Sequence, residues 1–298
     1  MRERLRDYLA VLAADGYQVA AGTAQLRSGQ FHDVVLAGDF AYRFPRDSQS
    51  RRALPRRVAL LTALADASLP VAIPAPVCAR DELAGEPMRR PVGSCYVALT
   101  RVPGSPADAA MLDAARSSAA LVGQLADLLD ELARLGTEPA IRRAVPAAGA
   151  SKWRDWAGQV RNVLFPLMSL VGRRRAEAEL AAVQMVAATG HALVHSDLGG
   201  ANLLLTVRGE SAPGESVVTG ILDWDGACIG NQANDLASLA VTFGWPVAAQ
   251  IDRLRRSPNG PLISSARVIA ATFALQQALP AALTGDVPSL NEGLMTYR

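Results

Sequence analysis

The sequence predicts an α+β protein built from two unequal lobes, a small β-rich N-terminal lobe and a larger, mainly helical C-terminal lobe. The chain has 298 residues, half of them hydrophobic, which is enough to form two cores. Short strand-like runs separated by turn signals dominate the first third of the chain. Apolar residues at helical spacing dominate the remainder.

The N-terminal lobe is predicted to begin with a helix followed by a sheet. Residues 1–15 form the helix, because Leu5, Leu9 and Leu12 fall on one stripe. Three strand-like runs follow, YQVAAGTAQL, HDVVLAG and FAYRFPR. The loop RSGQFHD, which contains Gly29, separates the first two runs.

A second helix and one more strand complete this lobe. The helix is predicted over residues 51–66, with Pro55 in its first turn, where a proline is tolerated. The strand is CYVALTRV, and the breaker cluster PGSPAD follows it directly. We therefore predict the N-terminal lobe, a hinge and the C-terminal lobe over residues 1–99, 100–104 and 105–298.

The C-terminal lobe combines amphipathic helices with short strands. The segment AALVGQLADLLDELARLG places its leucines on one face and ends at Gly136, which is typical of a core helix. Further helices are predicted at SKWRDWAGQVRNVLFPLM, RRRAEAELAAVQMVAAT, NDLASLAVTFG and SSARVIAATFALQQALPAAL. Three strands are predicted at 192–195, 202–207 and 217–223, and the loop RGESAPGES joins the last two as a hairpin.

Composition and charge exclude several classes of partner. The formal net charge of +2 gives no basic field for nucleic acid, and no apolar run reaches the ~20 residues of a membrane span. Cys78, Cys95 and Cys228 are isolated in the sequence. The first ten residues are charged and amphipathic, which is not typical of a signal peptide. We expect a soluble, cytoplasmic protein with free thiols. We also expect a monomer, because no long apolar surface stripe is left over.

Polar residues stand between apolar strands in the stretches HSDLGGAN and GILDW. Asp197 and Asn202 share one loop, and Asp223 follows at the end of the later strand. Two strands that end in Asp at one edge of a sheet are a natural place for a hard cation such as Mg²⁺. A lone Asp at a strand end is more often a turn or helix cap. In combination, a proton-accepting carboxylate, an Asn and a second Asp are what a kinase needs.

The segments VHSDLGGANLL, ILDWDGACIG and NDLASLA resemble the catalytic and metal-binding segments of protein-kinase-like enzymes, in the form found in the aminoglycoside phosphotransferase family. The resemblance implies a two-lobed kinase-like fold with Asp197 as catalytic base. It implies Asn202 and Asp223 as Mg²⁺ ligands. It also implies that His195 is a structural brace and that Asp235, a helix-start residue, ties the loop down. Residues 195–202 are called the catalytic loop below.

From about residue 28 to the C-terminus, the sequence also resembles a smaller branch of this family. The segments SGQFHDVVL, VRNVLFPLM, GRRRAEAELAAV, ATFALQQAL and LMTYR look like the viomycin and capreomycin phosphotransferases. This resemblance implies transfer of the γ-phosphoryl group of ATP or GTP to a hydroxyl of a cationic tuberactinomycin peptide. Two alternatives stay open at this point. One is a kinase of an aminoglycoside, a macrolide or a small metabolite, and the other is a non-catalytic nucleotide-binding protein.

Several positions depart from the kinase pattern. The strand that usually carries a phosphate-binding lysine has Arg43 instead, with Arg46 as second candidate, and Arg can bind phosphate bidentately. No Glu occurs on the following helix, so Asp47 or an acid from elsewhere would have to pair with the arginine. Gly199 stands where many protein kinases have a lysine. Ser196 stands where small-molecule kinases commonly have glycine.

The nucleotide is expected between the lobes. The loop RSGQFHD would cover its phosphates, with backbone donors from Ser28 and Gly29. The hinge would hydrogen-bond the base from about Thr100 to Val102. Asp225 is either a second metal or substrate group, or a solvated loop acid.

Overall fold

The chain is described by a computed structural model over residues 2–20, 22–29, 31–67, 69–77, 90–107, 109–116, 118–208, 215–256 and 262–298. Cys78 and most of the predicted loop RGESAPGES lie outside these residues.

A four-stranded antiparallel sheet forms the N-terminal lobe. Its strands are β1 Gln25–Ser28, β2 His32–Ala37, β3 Phe40–Pro45 and β4 Val97–Thr100, in the spatial order β1-β2-β3-β4. Alternation along β3 buries Tyr42 and Phe44 on one face and leaves Arg43 on the other, toward the second lobe. Helix α1, Arg2–Ala14, covers the first face, where the ring of Tyr8 stacks on Phe44.

Helix α2, Ser48–Asp66, begins earlier than the sequence predicts. Its N-cap is Asp47, whose carboxylate accepts a 2.7 Å hydrogen bond from the Ser50 N–H. This cap starts the helix directly after β3. The expected place of Pro55 in the first turn is therefore wrong, and this residue lies about two turns inside the helix.

The C-terminal lobe is mainly helical. Its helices are α3 Ala109–Arg116, α4 Ala119–Leu135, α5 Pro139–Ala144, α6 Lys152–Val163, α7 Leu170–Gln184, α8 Ala233–Phe243, α9 Trp245–Leu254, α10 Ile263–Ala271, α11 Phe273–Thr284 and α12 Val287–Leu294. The single helix predicted across α10 and α11 is broken at Thr272. There the threonine hydroxyl donates to the Ile269 carbonyl and caps the end of α10.

The stretch Ile263–Thr284 is the one candidate membrane span among the described residues, by length and composition alone. In the structure it comprises the two helices α10 and α11. Leu275, Ala278 and Leu279 are buried there in a hydrophobic cluster of the C-terminal lobe.

Two small sheets carry the polar segments. One has the order β5-β7-β8, formed by Ser105–Pro106, Leu203–Arg208 and Glu215–Ile221, and the other pairs β6 Ala192–Val194 with β9 Cys228–Gly230. Asp197 follows β6 and Asp223 follows β8, so the two acids end strands of different sheets. The expectation that they share one sheet edge is therefore wrong. They meet through a loop contact instead, as described below.

The close packing of α4 against β6 sets where the catalytic loop begins. The leucines of α4 are buried as predicted, and the helix ends at Leu135. Gly136 then has an ordinary right-handed backbone, but a methyl group there would overlap the backbone carbonyl of His191. The glycine is thus required by close approach to β6, and not by a left-handed turn.

We predict opposite effects of Ala at two glycines of this helix. Gly123→Ala points into open space and should stabilise the protein by about 0.5–1 kcal/mol, because Ala is the better helix former. Gly136→Ala should destabilise it by about 2 kcal/mol, because the backbone of β6 has to move. Urea denaturation of both variants measures the difference, and equal stabilities would contradict this packing.

Candidate active site

The buried carboxylate of Asp235 fixes the start of the catalytic loop. Its Oδ2 accepts from the N–H of His195 at 3.0 Å and its Oδ1 from the N–H of Ser196 at 2.9 Å. Burial raises the pKa of Asp235 to about 7, although the two backbone hydrogen bonds lower it. Gln232 occupies the N-cap position of α8 without a side-chain capping hydrogen bond, and Asp235 is the third residue of the helix. Its side chain turns away from its own helix to hold the loop.

Ser196 has a left-handed backbone, with φ of 75°. Non-glycine residues rarely adopt this conformation, which explains why a glycine suits this position in related enzymes. The sequence alone gave no account of the serine. In the structure its hydroxyl lies 3.8 Å from the sulfur of Cys228.

His195 is fully buried and links the loop to the segment after β8. Its Nε2 lies 2.8 Å from the Leu222 carbonyl, and its Nδ1 accepts from the N–H of Asp197 at 3.3 Å. These contacts place the ring proton on Nε2. Burial lowers the pKa of this histidine, and the ring packs edge-on against Trp224. The geometry fits a neutral brace and not a proton carrier.

The loop brings Asp197 and Asn202 into contact and lies beside the segment that carries Asp223. The Asn202 amide donates to the Asp197 carboxylate at 2.7 Å and to its carbonyl at 3.1 Å. The N–H of Leu222 donates to the Asn202 carbonyl at 2.8 Å, and Asp223 comes next in the chain. Leu222 is thus bonded to both His195 and Asn202. Asp223 has φ of 56°, and its side chain is half-exposed.

Gly199 has no room for a side chain. A methyl group there would overlap the hydroxyl of Thr242 and lie 2.8 Å from the Ser238 carbonyl, both on α8. The same threonine hydroxyl accepts from the N–H of Gly200 at 2.8 Å. The packing of α8 therefore explains why no lysine stands at this position of the loop.

Arg43 crosses from β3 to the segment that follows β8. Its two Nη atoms contact the two carboxylate oxygens of Asp225 at 3.0 and 2.6 Å. Its Nη2 also lies 3.0 Å from Oδ1 of Asp223. Burial acts to raise the pKa of Asp223, but the Arg43 charge and hydrogen bond outweigh it and lower that pKa. Asp225 is thus paired with arginine and largely buried, so the alternative of a solvated loop acid is wrong.

Two residues that the sequence reading missed complete this cluster. Nε of Arg57, on α2, lies 2.8 Å from Oδ1 of Asp225; the N–H is not aligned with the oxygen, so the attraction is ionic. His32, at the start of β2, lies between the two arginines, with Nδ1 3.1 Å from Arg43 and Nε2 2.6 Å from Arg57. The sequence signal that could have identified Arg57 is an arginine on α2, a helix that lacks the acid usual in kinases.

The loop after β1 is held by its own contacts. Nη1 of Arg46 donates to the Gly29 carbonyl at 2.7 Å, and the Gly29 N–H donates to the His32 carbonyl at 2.8 Å. Gly29 therefore does not present a free backbone donor, contrary to expectation. Ser28 pairs with Asp33 in the sheet and is exposed. Gln30 lies outside the described residues.

Some backbone groups of the predicted hinge are hydrogen-bonded within the chain. The N–H of Thr100 donates to the Ala75 carbonyl at 2.8 Å, and its hydroxyl accepts from the Ala75 N–H at 2.9 Å. The Arg101 N–H donates to the Asp39 carbonyl at 2.7 Å. The Thr100 N–H is therefore not available to a nucleotide base. Val102 is buried, and its N–H has no hydrogen-bond partner among the described residues.

Comparison with known sequences identifies the family. The sequence model described as the phosphotransferase enzyme family matches residues 22–268. The viomycin phosphotransferase of Streptomyces vinaceus is 36% identical over 277 residues, which cover 93% of each chain.

Solved structures share the whole fold at low identity. The GDP complex of aminoglycoside 2′-phosphotransferase-IIIa has a TM-score of 0.74 and 21% identity, and covers 97% of this chain and 95% of that one. A macrolide 2′-phosphotransferase type I has a TM-score of 0.71 and 19% identity, and covers 98% of this chain and 95% of that one. These likenesses confirm the predicted two-lobed, kinase-like α+β fold.

We predict that Asp235→Asn loosens the catalytic loop. An amide offers one oxygen to two backbone N–H donors, so one buried donor loses its partner, at a cost of about 3 kcal/mol. Thermal unfolding measures this loss. Asp127→Asn makes the same change at an exposed acid and should stay within about 0.5 kcal/mol. Equal unfolding temperatures for the two variants would contradict the role of Asp235.

Proposed function

Because the chain belongs to the phosphotransferase enzyme family, we propose that it transfers the γ-phosphoryl group of ATP or GTP to a hydroxyl of a tuberactinomycin peptide such as viomycin or capreomycin. The chain is a phosphotransferase that acts on a hydroxyl group. The observation that carries the chemistry is the contact between Asp197 and Asn202 beside Asp223. The peptide substrate is supported by 36% identity to a viomycin phosphotransferase over 93% of both chains.

Asp197 is the proposed catalytic base. Its exposed carboxylate is oriented by the Asn202 amide, which leaves it able to accept the proton of a substrate hydroxyl. The hydroxyl oxygen then forms a bond to the γ-phosphorus, and the bond from that phosphorus to the bridging oxygen breaks. The nucleoside diphosphate takes the bonding electrons and leaves.

The residues beside this base fit a magnesium ion. Because Nδ2 of Asn202 donates to Asp197, its Oδ1 remains as an oxygen donor, and the half-exposed Asp223 supplies a carboxylate. Among the described residues there is no group of three His, Cys, Asp or Glu arranged for a metal. A sparse oxygen set suits Mg²⁺, which keeps waters and phosphate oxygens as ligands. Bound there, Mg²⁺ would neutralise charge on the nucleotide phosphates.

Arg43 is the proposed protein cation for the phosphates. It lies next to Asp223, and its guanidinium is held by Asp225. Gly199 cannot carry a charged side chain, so the catalytic loop supplies no substitute. Arg46, the second candidate, instead supports the loop that covers the cleft through the Gly29 carbonyl.

The remaining nucleotide contacts are assigned by elimination. We assign the base to the Val102 N–H and the phosphates to Ser28, because the N–H groups of Gly29 and Thr100 are engaged within the chain. We also propose a cytoplasmic monomer. Small cationic drugs and nucleotides meet in that compartment, and transfer of the phosphoryl group there would inactivate the antibiotic.

We predict a mass gain of ~80 units, one phosphoryl group, when viomycin or capreomycin is incubated with the protein, Mg²⁺ and ATP or GTP. Mass spectrometry of each drug measures it, with several aminoglycosides and a macrolide in parallel. Asp197→Asn should lower the rate by ~10³-fold or more with unchanged unfolding temperature, because only the proton acceptor is lost. Asp113→Asn, at an exposed acid, is the matched control.

A gain confined to aminoglycosides or to the macrolide would overturn the peptide assignment. Nucleotide turnover that is at background with every acceptor, and equal in wild type and Asp197→Asn, would favour the non-catalytic alternative.

We predict unequal effects for two arginines near the cleft. Arg43→Ala should lower kcat/KM for the nucleotide by ~100-fold or more, because it removes a cation beside the phosphates. Arg46→Ala should cost less than ~10-fold, because its contact is to a loop carbonyl. Initial rates at varied nucleotide concentration distinguish the two. A larger loss for Arg46→Ala would move the phosphate contact to that residue.

A further inference from the structure

The Arg43 side chain needs a fixed acid if it is to present a constant charge to phosphates. A free arginine loses about 2 kcal/mol of rotamer entropy when it is held in place. Kinase-like enzymes usually take that acid from the helix after the strand. Here α2 has no Asp or Glu before Asp66, and Asp47 is occupied as the helix cap. The carboxylate at Arg43 comes from Asp225, far along the chain.

We propose that Arg57 is a positioning residue that holds Asp225 against Arg43, with His32 packed between the two arginines. Two arginines and one aspartate would then do what a lysine–glutamate pair does in other kinases. The four residues Arg43, Asp225, Arg57 and His32 are called the arginine brace. This inference rests on the proposed function, because it takes Arg43 as the cation at the nucleotide phosphates.

Because the brace is largely buried, the loss of its acid and the loss of one of its cations should have unequal costs. The side chains of Arg43 and Arg57 are each 16% exposed and that of Asp225 is 17% exposed. Arg43 engages both carboxylate oxygens, and Arg57 also lies close to Oδ1. The acid therefore lies between two cations with little water. Removing it leaves two partly buried positive charges close together, which is costlier than removing one cation.

His32 separates the two guanidiniums without adding charge. Its ring nitrogens lie 3.1 Å from Arg43 and 2.6 Å from Arg57, and its side chain is 4% exposed. Burial and the two arginines lower its pKa to about 3, so the ring is neutral at physiological pH. The His32 carbonyl also accepts from the Gly29 N–H. The brace is thus continuous with the loop that covers the cleft.

The brace also controls how Arg43 is shared between two acids. Arg43 contacts Asp223, the proposed metal ligand, as well as Asp225. Without Asp225, the carboxylate left to Arg43 in this cluster is Asp223. The arginine would then compete with Mg²⁺ for a ligand. Once Asp225 is removed, repulsion from Arg57 favours the move of Arg43 toward Asp223. Removing Arg57 as well would relieve part of this repulsion.

A double-mutant cycle tests the brace. The variants are Arg57→Gln, Asp225→Asn and the double variant, with Arg57→Lys as a conservative replacement. Arg56→Gln, the same change at the exposed neighbouring residue, is the matched control. Steady-state rates with viomycin give kcat and the KM of each substrate. Calorimetric titration with Mg²⁺ and ADP, together with unfolding temperatures, measures nucleotide binding and folding without turnover.

We expect Arg57→Gln to raise the nucleotide KM and the dissociation constant of Mg²⁺–ADP by ~10-fold, with the viomycin KM unchanged. Arg57→Lys should recover most of that loss, and Arg56→Gln should differ from wild type by less than about twofold. Asp225→Asn should bind Mg²⁺–ADP ~10-fold more weakly than Arg57→Gln does. The double variant should bind Mg²⁺–ADP at least as well as Asp225→Asn alone, because a repelling cation has gone.

Two outcomes would overturn the inference. One is an Arg57→Gln variant that matches Arg56→Gln in both KM and Mg²⁺–ADP affinity. The other is a double variant whose loss equals the product of the two single losses. If wild type does not modify viomycin, the proposed substrate is wrong, but Mg²⁺–ADP titration still decides the brace. A variant that fails to fold is recognised by its unfolding temperature, and Arg57→Lys then carries the comparison.

Discussion

The pair of hydrogen bonds from consecutive backbone N–H groups to the Asp235 carboxylate is the contact on which the site geometry depends. It fixes His195 and Ser196, and the left-handed Ser196 turns the chain so that Asp197 is exposed. The His195 ring is hydrogen-bonded to the Leu222 carbonyl, and the Leu222 N–H donates to the Asn202 carbonyl. Asp197, Asn202 and the segment before Asp223 are thereby positioned from one buried group. Their spacing in the sequence is a consequence of this chain of contacts.

A second constraint is electrostatic and joins the two lobes. The sheet contributes Arg43, helix α2 contributes Arg57, and the segment after β8 contributes Asp225. These contacts join the two lobes, so helix α2, the sheet and the segment after β8 are held by one carboxylate. Kinases with the acid on the helix hold only strand and helix together in this way. Here the ion pairs act across the lobes as well.

The sequence was sufficient for features that depend on local pattern. The α4 leucine stripe indicates its buried face, and the spacing of Asp197 and Asn202 identifies two side chains that do contact each other. Helix bounds were less accurate where one cap decided them. The side chain of Asp47 starts α2 upstream of its apolar pattern, and Thr272 divides an otherwise continuous helical pattern.

Features that depend on distant contacts could not be predicted. Asp225 meets Arg43 across 182 positions of sequence, and no local pattern encodes that pairing. His32 lies in a strand whose alternation gives no sign of two arginines beside it. The backbone donors of Gly29 and Thr100 are engaged by neighbouring segments, which only the folded chain reveals. The sequence shows that Gly199 replaces the usual lysine, but the reason, the close approach of α8, is visible only in the folded chain.

The arginine at the strand position also changes how the enzyme can be labelled. Reagents that carry an acyl phosphate on a nucleotide tag kinases by transferring the acyl group to the amine of the strand lysine. A guanidinium stays protonated and is a poor nucleophile, so Arg43 has no amine to acylate. The one lysine of the chain, Lys152, begins α6 and lies over the ring of Trp153. Such reagents would therefore not acylate the strand position of this protein.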